Sequence, residues 1–198
     1  MCWACAALLG NPALSGLLFA FLATLLAGIG ARDQLTVAGI AARQGARPGL
    51  IGVAVATSIV TAAMAAYGGS LLAPLLAGDA RLMFASLALA LAGGEMLLFS
   101  ARRMPDEPTQ SLGAIAIVLS AHQLTDAARF LVFAITVATR APISAGLGGA
   151  LGGTCIVLTG WLAAGTLPTA RLSLIRRPVG GALLILATVL AMQAMGRA

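Results

Sequence analysis

Ionisable and hydrogen-bonding side chains interrupt two long apolar stretches of this sequence. They are Arg32 and Asp33 in the first stretch, and His122, Gln123, Thr125, Asp126 and Arg129 in the second. An unpaired charge at the centre of a bilayer costs about 2.5 kcal/mol or more, so such groups pair with one another, contact water or bind a solute. The residues therefore predict either buried ion pairs or a site for a charged solute.

The composition indicates the solvent that surrounds these groups. Of the 198 residues, 60% are hydrophobic and 9% are charged, whereas roughly a quarter of the residues in a soluble domain are charged. Backbone groups inside a bilayer must be satisfied within each segment, which favours helices. The sequence therefore predicts an all-α integral membrane protein. Its twelve basic residues are scattered arginines, so we expect the lipid bilayer and no nucleic acid as a partner.

Six apolar segments are long enough to cross a membrane, which takes about 20 residues each. Their predicted bounds are 13–42, 48–69, 82–100, 111–139, 142–165 and 179–195. A polar cytoplasmic linker at 102–110 separates a first half, 1–101, from a second half, 111–198. Segments one and four would each be about 45 Å long as straight helices, against a hydrocarbon core of about 30 Å. We therefore expect each of them to be tilted or broken at its polar residues.

The two halves repeat one pattern. In each half an interrupted segment is followed by a proline, Pro48 or Pro142, and then by a span that ends near glycine. Each half has three spans, an odd number, so the second half must be inverted relative to the first. Six transmembrane helices in two inverted three-helix repeats are a common design of secondary transporters, with the substrate at the repeat interface. Tight helix packing also selects small residues, but it does not explain the charges.

The stretch 26–35, followed by Arg43 and Pro48, resembles the first repeat of the transmembrane protein 165 family of calcium/manganese–proton antiporters. The resemblance covers most of the chain as architecture and these short stretches as motif. The family signature, Glu-(apolar)-Gly-Asp-(Lys/Arg)-(Thr/Ser), occurs once in each half. Its positions fall on Gly28, Gly30, Ala31, Arg32 and Asp33 in the first half, and on Gln123, Thr125, Asp126, Ala127 and Ala128 in the second. Asp126 is the one signature acid in place, and Asp33 adds a displaced carboxylate.

This resemblance implies a divalent cation–proton antiporter that needs no cofactor, with manganese or calcium and protons as the transported species. Asp126 is expected to be the principal metal ligand and Asp33 the second, with Gln123 and Thr125 as further oxygen donors, because hard divalent cations prefer oxygen ligands. The sequence has no nucleophile–base pattern, phosphate-binding loop or His/Cys metal spacing. We therefore do not expect an enzyme.

Arg32 and Arg129 are the expected charge partners of the two acids. Arg129 lies three residues after Asp126, so the two can share a helix face, whereas Arg32 and Asp33 point about 100° apart. We expect Asp33 to pair with Arg129 across the repeats, and Arg32 with Asp126. Two alternatives to cation transport stay open: a non-transporting protein with structural buried salt bridges, and a transporter of an anionic or zwitterionic solute bound by the arginines.

Other polar residues receive less specific interpretations. His122 is interpreted as a helix-packing hydrogen bonder, with a proton relay as the alternative. Glu95 lies on the helix face of Arg102, and we expect it to pair or to extend toward the membrane surface, with a ligand role as the alternative. Cys2 and Cys5 form a C-x-x-C pair without further ligands, which favours neither a metal nor a redox site.

The arginines in the predicted connections indicate the orientation. Seven of them, including Arg176 and Arg177, follow spans one, three and five, against three on the opposite side. Since basic residues are retained in the cytoplasm, we expect a multi-pass inner-membrane protein with both termini in the periplasm. The first arginine is Arg32, so a cleaved signal peptide with a basic start is not expected.

Overall fold

The structure is a computed structural model, and it describes residues 11–98, 111–164 and 169–196, without the side chains of 169–173. Over these ranges the protein is all-helical, which confirms the all-α part of the prediction. The cysteine pair Cys2 and Cys5 and the predicted linker at 102–110 lie outside the described residues.

The first half forms helices whose ends follow the capping residues of the sequence. They are α1 (Pro12–Gly28), α2 (Arg32–Gln44), α3 (Pro48–Leu72), a 3-10 turn (Ala73–Leu75) and α4 (Gly78–Leu98). Asn11 caps α1, because its Oδ1 accepts a hydrogen bond of 3.0 Å from the backbone N of Ala13. Proline occupies the first turn of both α1 and α3, where its missing N–H has no helical partner to lose.

The second half has the same order of elements. Its helices are α5 (Leu112–Leu124), α6 (Ala127–Thr139), α7 (Pro142–Ala163) and α8 (Thr169–Ala194). Helix α8 starts at Thr169, well before residue 179, where the sixth span was predicted to begin. The arginine-containing stretch before Pro178 had indicated a loop, but it continues the helix, and Pro178 lies inside α8.

Both over-long apolar segments are broken. Helices α1 and α2 bend by 58° at their junction, and α5 and α6 bend by 55°. Gly30 adopts a φ of 68° at the first break, a left-handed conformation that glycine takes without steric cost. Four helices of the described part are long and apolar enough to cross a membrane, or six if each bent pair counts as one span.

The two halves interlock through their helices. Helix α1 packs on α7, α5 and α6 pack on α3, and α3 and α7 pack on each other. The third span, α4, packs chiefly on the sixth, α8, and also on α6. Helices α4 and α8 touch backbone to backbone, since a Cβ added at Gly93 would lie 2.7 Å from the carbonyl oxygen of Gly180.

Large apolar side chains cover the outside of this bundle. Leu75, Leu98 and Ile143 are between 78% and 81% exposed. Such exposure is expected where the surrounding solvent is lipid. Most of the polar residues singled out by the sequence are buried or half-buried near the bends of these helices.

Candidate functional site

The two helix breaks bring the predicted site residues into the interior. Asp33 is the second residue of α2, Gln123 lies in the last turn of α5, and Arg129 is the third residue of α6. These three side chains are 5%, 1% and 3% exposed, respectively. Asp126 directly precedes α6 and is half-buried.

Gln123 is the centre of a buried hydrogen-bond network. Its Nε2 donates to Oδ2 of Asp33 at 3.4 Å and to Oγ of Ser58 at 3.2 Å. Its Oε1 accepts a hydrogen bond of 3.0 Å from Oγ1 of Thr61. Ser58 and Thr61 both belong to α3, so this one amide connects the first broken helix to the span that follows it.

Arg129 binds the same two residues of α3. Its Nε donates to Oγ1 of Thr61 at 2.9 Å, and its Nη2 donates to Oγ and the carbonyl oxygen of Ser58 at 3.0 and 3.3 Å. No hydrogen bond joins Arg129 directly to Asp33 in the described part of the chain, because the guanidinium donates to α3, but the two charges attract each other. The two charges are connected through Gln123, Ser58 and Thr61.

The other predicted pair, Arg32 with Asp126, is also not formed. Within the described residues, Arg32 donates no hydrogen bond and the Asp126 carboxylate accepts none. An aspartate before a helix usually caps it with the carboxylate, but here the side chain of Asp126 does not cap α6. Its backbone carbonyl instead accepts from the backbone N of Arg129 at 3.1 Å. The carboxylate is thus left without a local partner.

A cavity of about 320 Å³ opens beside Asp126, and Glu95 of α4 forms part of its wall. Leu91, Leu124 and Phe130 line the apolar part of this cavity. Glu95 likewise accepts no hydrogen bond within the described part of the chain. We expected Glu95 to pair with Arg102 or extend to the surface. Arg102 lies outside the described residues, and Glu95 faces the same cavity as Asp126.

A third arginine belongs to this region and was missed by the sequence interpretation. Arg176 was assigned to a cytoplasmic connection, but it lies in α8 and is 5% exposed. Its Nη1 donates to the carbonyl oxygen of Ile29, at the first helix break, at 3.0 Å. Its charge acts on Asp126 and Glu95. The region therefore contains three acids, Asp33, Glu95 and Asp126, and three arginines, Arg32, Arg129 and Arg176.

The remaining predicted residues have hydrogen bonds typical of helix packing. Nδ1 of His122 lies 3.3 Å from Oγ1 of Thr36, which joins α5 to α2. Thr125 is exposed, and its hydroxyl donates to the carbonyl oxygen of Ala121 at 2.8 Å. Thr125 also lines the cavity of Asp126, where its oxygen can still accept.

The predicted metal ligands do not form a dense cluster. No group of three or more His, Cys, Asp or Glu side chains that could hold a metal ion occurs among residues 11–98, 111–164 and 169–196. Asp33 is engaged by Gln123, whereas Asp126 faces the cavity with Glu95. A cation in that cavity would have two carboxylates and would take further oxygens from water, as hard cations often do.

Gly153 of α7 makes room for Arg129. A Cβ added at Gly153 would lie 2.6 Å from Nη2 of Arg129 and 2.8 Å from Oγ of Ser58. Both atoms are fixed by hydrogen bonds, so we expect Gly153→Ala to lower the free energy of unfolding by about 1–3 kcal/mol, as overpacking does.

Denaturation of the purified protein in detergent measures this effect, and Gly52→Ala is the matched control. A Cβ at Gly52 meets nothing within 4 Å, so that variant should be at least as stable as the wild type, since alanine favours a helix more than glycine does. Equal stability of the Gly153 and Gly52 variants would contradict the close contact at Arg129.

Comparison with known proteins adds no further assignment. No protein-family model matches the chain, and neither a curated protein nor a solved structure matches it.

Proposed function

We propose that this chain is a cation–proton antiporter of the inner membrane, with a divalent cation such as manganese or calcium as its substrate. One observation carries the proposal: Asp126 and Glu95 face a single open cavity at a helix break, and within the described residues neither carboxylate has a hydrogen-bond partner. Two carboxylates neutralise one divalent cation, and the same oxygens can instead take up protons. Because cation and protons compete for these oxygens, binding of one releases the other.

The inverted-repeat arrangement is part of this proposal, and the two breaks support it. Ala31 and Asp126 precede helices α2 and α6, so Gln34 and Arg129 each hold the third position of their helix. Nε2 of Gln34 donates to Thr159 of α7 at 2.9 Å, and Nε of Arg129 donates to Thr61 of α3 at 2.9 Å. Equivalent residues thus contact the second span of the opposite half, as a two-fold relation between repeats requires.

Within this proposal, Asp33 holds the fold and does not bind the cation. Its Oδ1 accepts from the backbone N of Gln34 at 2.7 Å and its Oδ2 accepts from Gln123. Gly28 stands at the position of a signature glutamate, and the structure leaves no room there for a larger side chain, since a Cβ would lie 2.6 Å from Cγ1 of Ile156. The cation site is therefore assigned to Asp126 and Glu95.

The orientation keeps its support after the position of Arg176 is corrected. Removing this buried residue from the seven arginines on the predicted cytoplasmic side leaves six, against three on the other side. The bias still favours cytoplasmic odd-numbered connections and periplasmic termini.

The buried arginines favour a second candidate, transport of an anionic or zwitterionic solute. The Nε of Arg176 is buried without a hydrogen-bond partner, and guanidinium groups bind carboxylates well. This candidate predicts that an organic anion such as succinate raises the melting temperature of the purified protein and that Mn²⁺ does not.

Proteoliposomes test the antiporter directly. With the full chain reconstituted, a pH difference across the membrane should drive Mn²⁺ movement, and Mn²⁺ added on one side should move protons the other way. Glu95→Gln removes one of the two cavity carboxylates, so we expect the initial Mn²⁺ flux to fall about tenfold or more, which corresponds to a loss of about 1.4 kcal/mol.

Asp79→Asn is the matched control, because Asp79 is an exposed acid in the first turn of the same helix, α4. Its flux should equal that of the wild type. Wild-type flux no greater than that of empty liposomes would contradict the proposal.

A further inference from the structure

We infer that Arg176 is the built-in counter-cation of the cavity: its guanidinium compensates part of the charge of Asp126 and Glu95 when they hold neither cation nor proton, and an entering divalent cation displaces it. This inference depends on the proposed function of the cavity. It adds Arg176, which belongs to the sixth span and not to either of the two interrupted segments.

The guanidinium of Arg176 is buried but incompletely bonded. An arginine has five N–H donors. Within the described residues, Arg176 uses one nitrogen, Nη1, in a hydrogen bond of 3.0 Å to Ile29, while its buried Nε has no partner. A structural arginine at this depth would be expected to have its donors satisfied, as Arg129 largely does with Ser58 and Thr61. Arg176 is therefore attached at one end and is available to change its position.

The position of Arg176 joins the two helix breaks. The carbonyl oxygen of Ile29 belongs to the end of α1, where the helix dipole attracts a cation. Arg176 lies one turn before Gly180, which packs against Met96 next to Glu95 on α4. The charges of Asp126 and Glu95 attract its guanidinium. A cation that binds these two acids removes the attraction and leaves Arg176 held by the end of α1 alone. Occupancy of the cavity is thereby coupled to the first broken helix.

Helix α8 is suited to such a movement near Arg176. Pro178, two residues further on, lies inside the helix, and proline cannot donate the backbone hydrogen bond that would hold the preceding turn. Just beyond it, Gly180 touches Gly93 of α4 through the backbone. After Pro178 the helix is held against α4 at Gly180. The turn before Pro178, which contains Arg176, is less restrained.

Binding of Mn²⁺ to the purified full-length chain in detergent, measured by isothermal titration calorimetry, tests the competition. Arg176→Gln removes the competing charge, so its dissociation constant for Mn²⁺ should fall about tenfold or more. Arg176→Lys keeps the charge and should bind within about threefold of the wild type. Arg177→Gln is the control, because Arg177 is exposed on the same helix and should leave the affinity unchanged.

The outcomes separate this inference from the proposed function. If the wild type binds Mn²⁺ and Arg176→Gln binds it no more tightly, the competition is overturned while the antiporter stands. If no variant binds Mn²⁺ and succinate stabilises the wild type but not Arg176→Gln, both are overturned in favour of an anion-binding arginine.

A folding defect in Arg176→Gln is addressed by a second variant. Combining it with Glu95→Gln restores the balance of charge, so the double variant should fold and bind Mn²⁺ more tightly than Glu95→Gln alone. A double variant that also fails to fold would assign Arg176 a purely structural role and overturn the inference.

Discussion

Asp126→Asn should abolish proton-coupled Mn²⁺ transport and leave the fold nearly as stable as that of the wild type. The asparagine can neither exchange a proton nor neutralise a divalent cation, so flux in proteoliposomes should fall to the level of empty liposomes. The stability should change by less than about 1 kcal/mol, because the carboxylate makes no hydrogen bond within the described residues that the substitution could remove. Its charge also has opposing effects, since Arg129 and Arg176 attract it while Asp33 and Glu95 repel it.

Asp33→Asn provides the comparison for this experiment. The Asp33 carboxylate accepts two hydrogen bonds, from Gln34 and Gln123, so this substitution should lower stability more than Asp126→Asn does. Proton-coupled flux in the Asp126 variant at the wild-type rate would contradict the proposed site. A much greater loss of stability in that variant than in Asp33→Asn would indicate that Asp126 holds the fold instead.

Arg129→Met should destabilise the protein by about 3 kcal/mol or more. Removing one partner of a buried charge network leaves the other charge uncompensated, which typically costs about 3–5 kcal/mol. Ser58 and Thr61 lose their hydrogen bonds to the guanidinium, and Asp33 loses the attraction of the Arg129 charge. Denaturant titration of the purified protein in detergent, followed by circular dichroism, measures the change.

Two further variants make this prediction specific. Arg47→Met removes an exposed arginine before α3 and should change stability by less than about 0.5 kcal/mol. Adding Asp33→Asn to Arg129→Met removes the uncompensated acid and should recover part of the lost stability. Additive effects of the two substitutions would contradict a coupled network of Asp33, Gln123 and Arg129.

The positions of the broken helices could be predicted from the sequence because their cause is local. A straight helix of thirty residues is longer than the hydrocarbon core and would place charges at its middle, which favours a tilt or a break there. Gly30, with its left-handed conformation, lies at the first break. Pro48 and Pro142 begin the following spans, because the first turn of a helix accepts a proline without losing a hydrogen bond. These features depend on neighbours in the chain and require no knowledge of the packing.

The side-chain pairings could not be predicted, since they depend on backbone conformation and on distant residues. The spacing of Asp126 and Arg129 predicts contact for two residues inside a helix. Asp126 instead has an extended backbone (φ −87°, ψ 145°) just before α6, so the helical spacing does not apply, and no hydrogen bond joins the two side chains in the described part of the chain. Ser58 and Thr61 bind Arg129, but uncharged serine and threonine are so common in membrane helices that nothing singled them out.

The sequence assigned Glu95 and Arg176 to other roles for a related reason. Glu95 is an isolated acid near the end of a span, and Arg176 stands next to Arg177 and Pro178, a pattern typical of a cytoplasmic connection. Glu95 joins the site because α4 packs on α6, and Arg176 joins it because α8 packs on α4 and its guanidinium donates to Ile29 at the first break. The site that the structure assembles is therefore centred on Asp126, with partners from the third and sixth spans.

The pair of carboxylates facing the cavity also determines how the proposed exchange would respond to the energy of the membrane. One divalent cation carries the same charge as two protons, so exchanging them at Asp126 and Glu95 moves no net charge per cycle. An electrical potential performs work of about 2.3 kcal/mol per 100 mV on each net charge that crosses, and it performs none on an electroneutral cycle. The proton concentration difference alone would then set the steepest cation gradient that the protein can maintain.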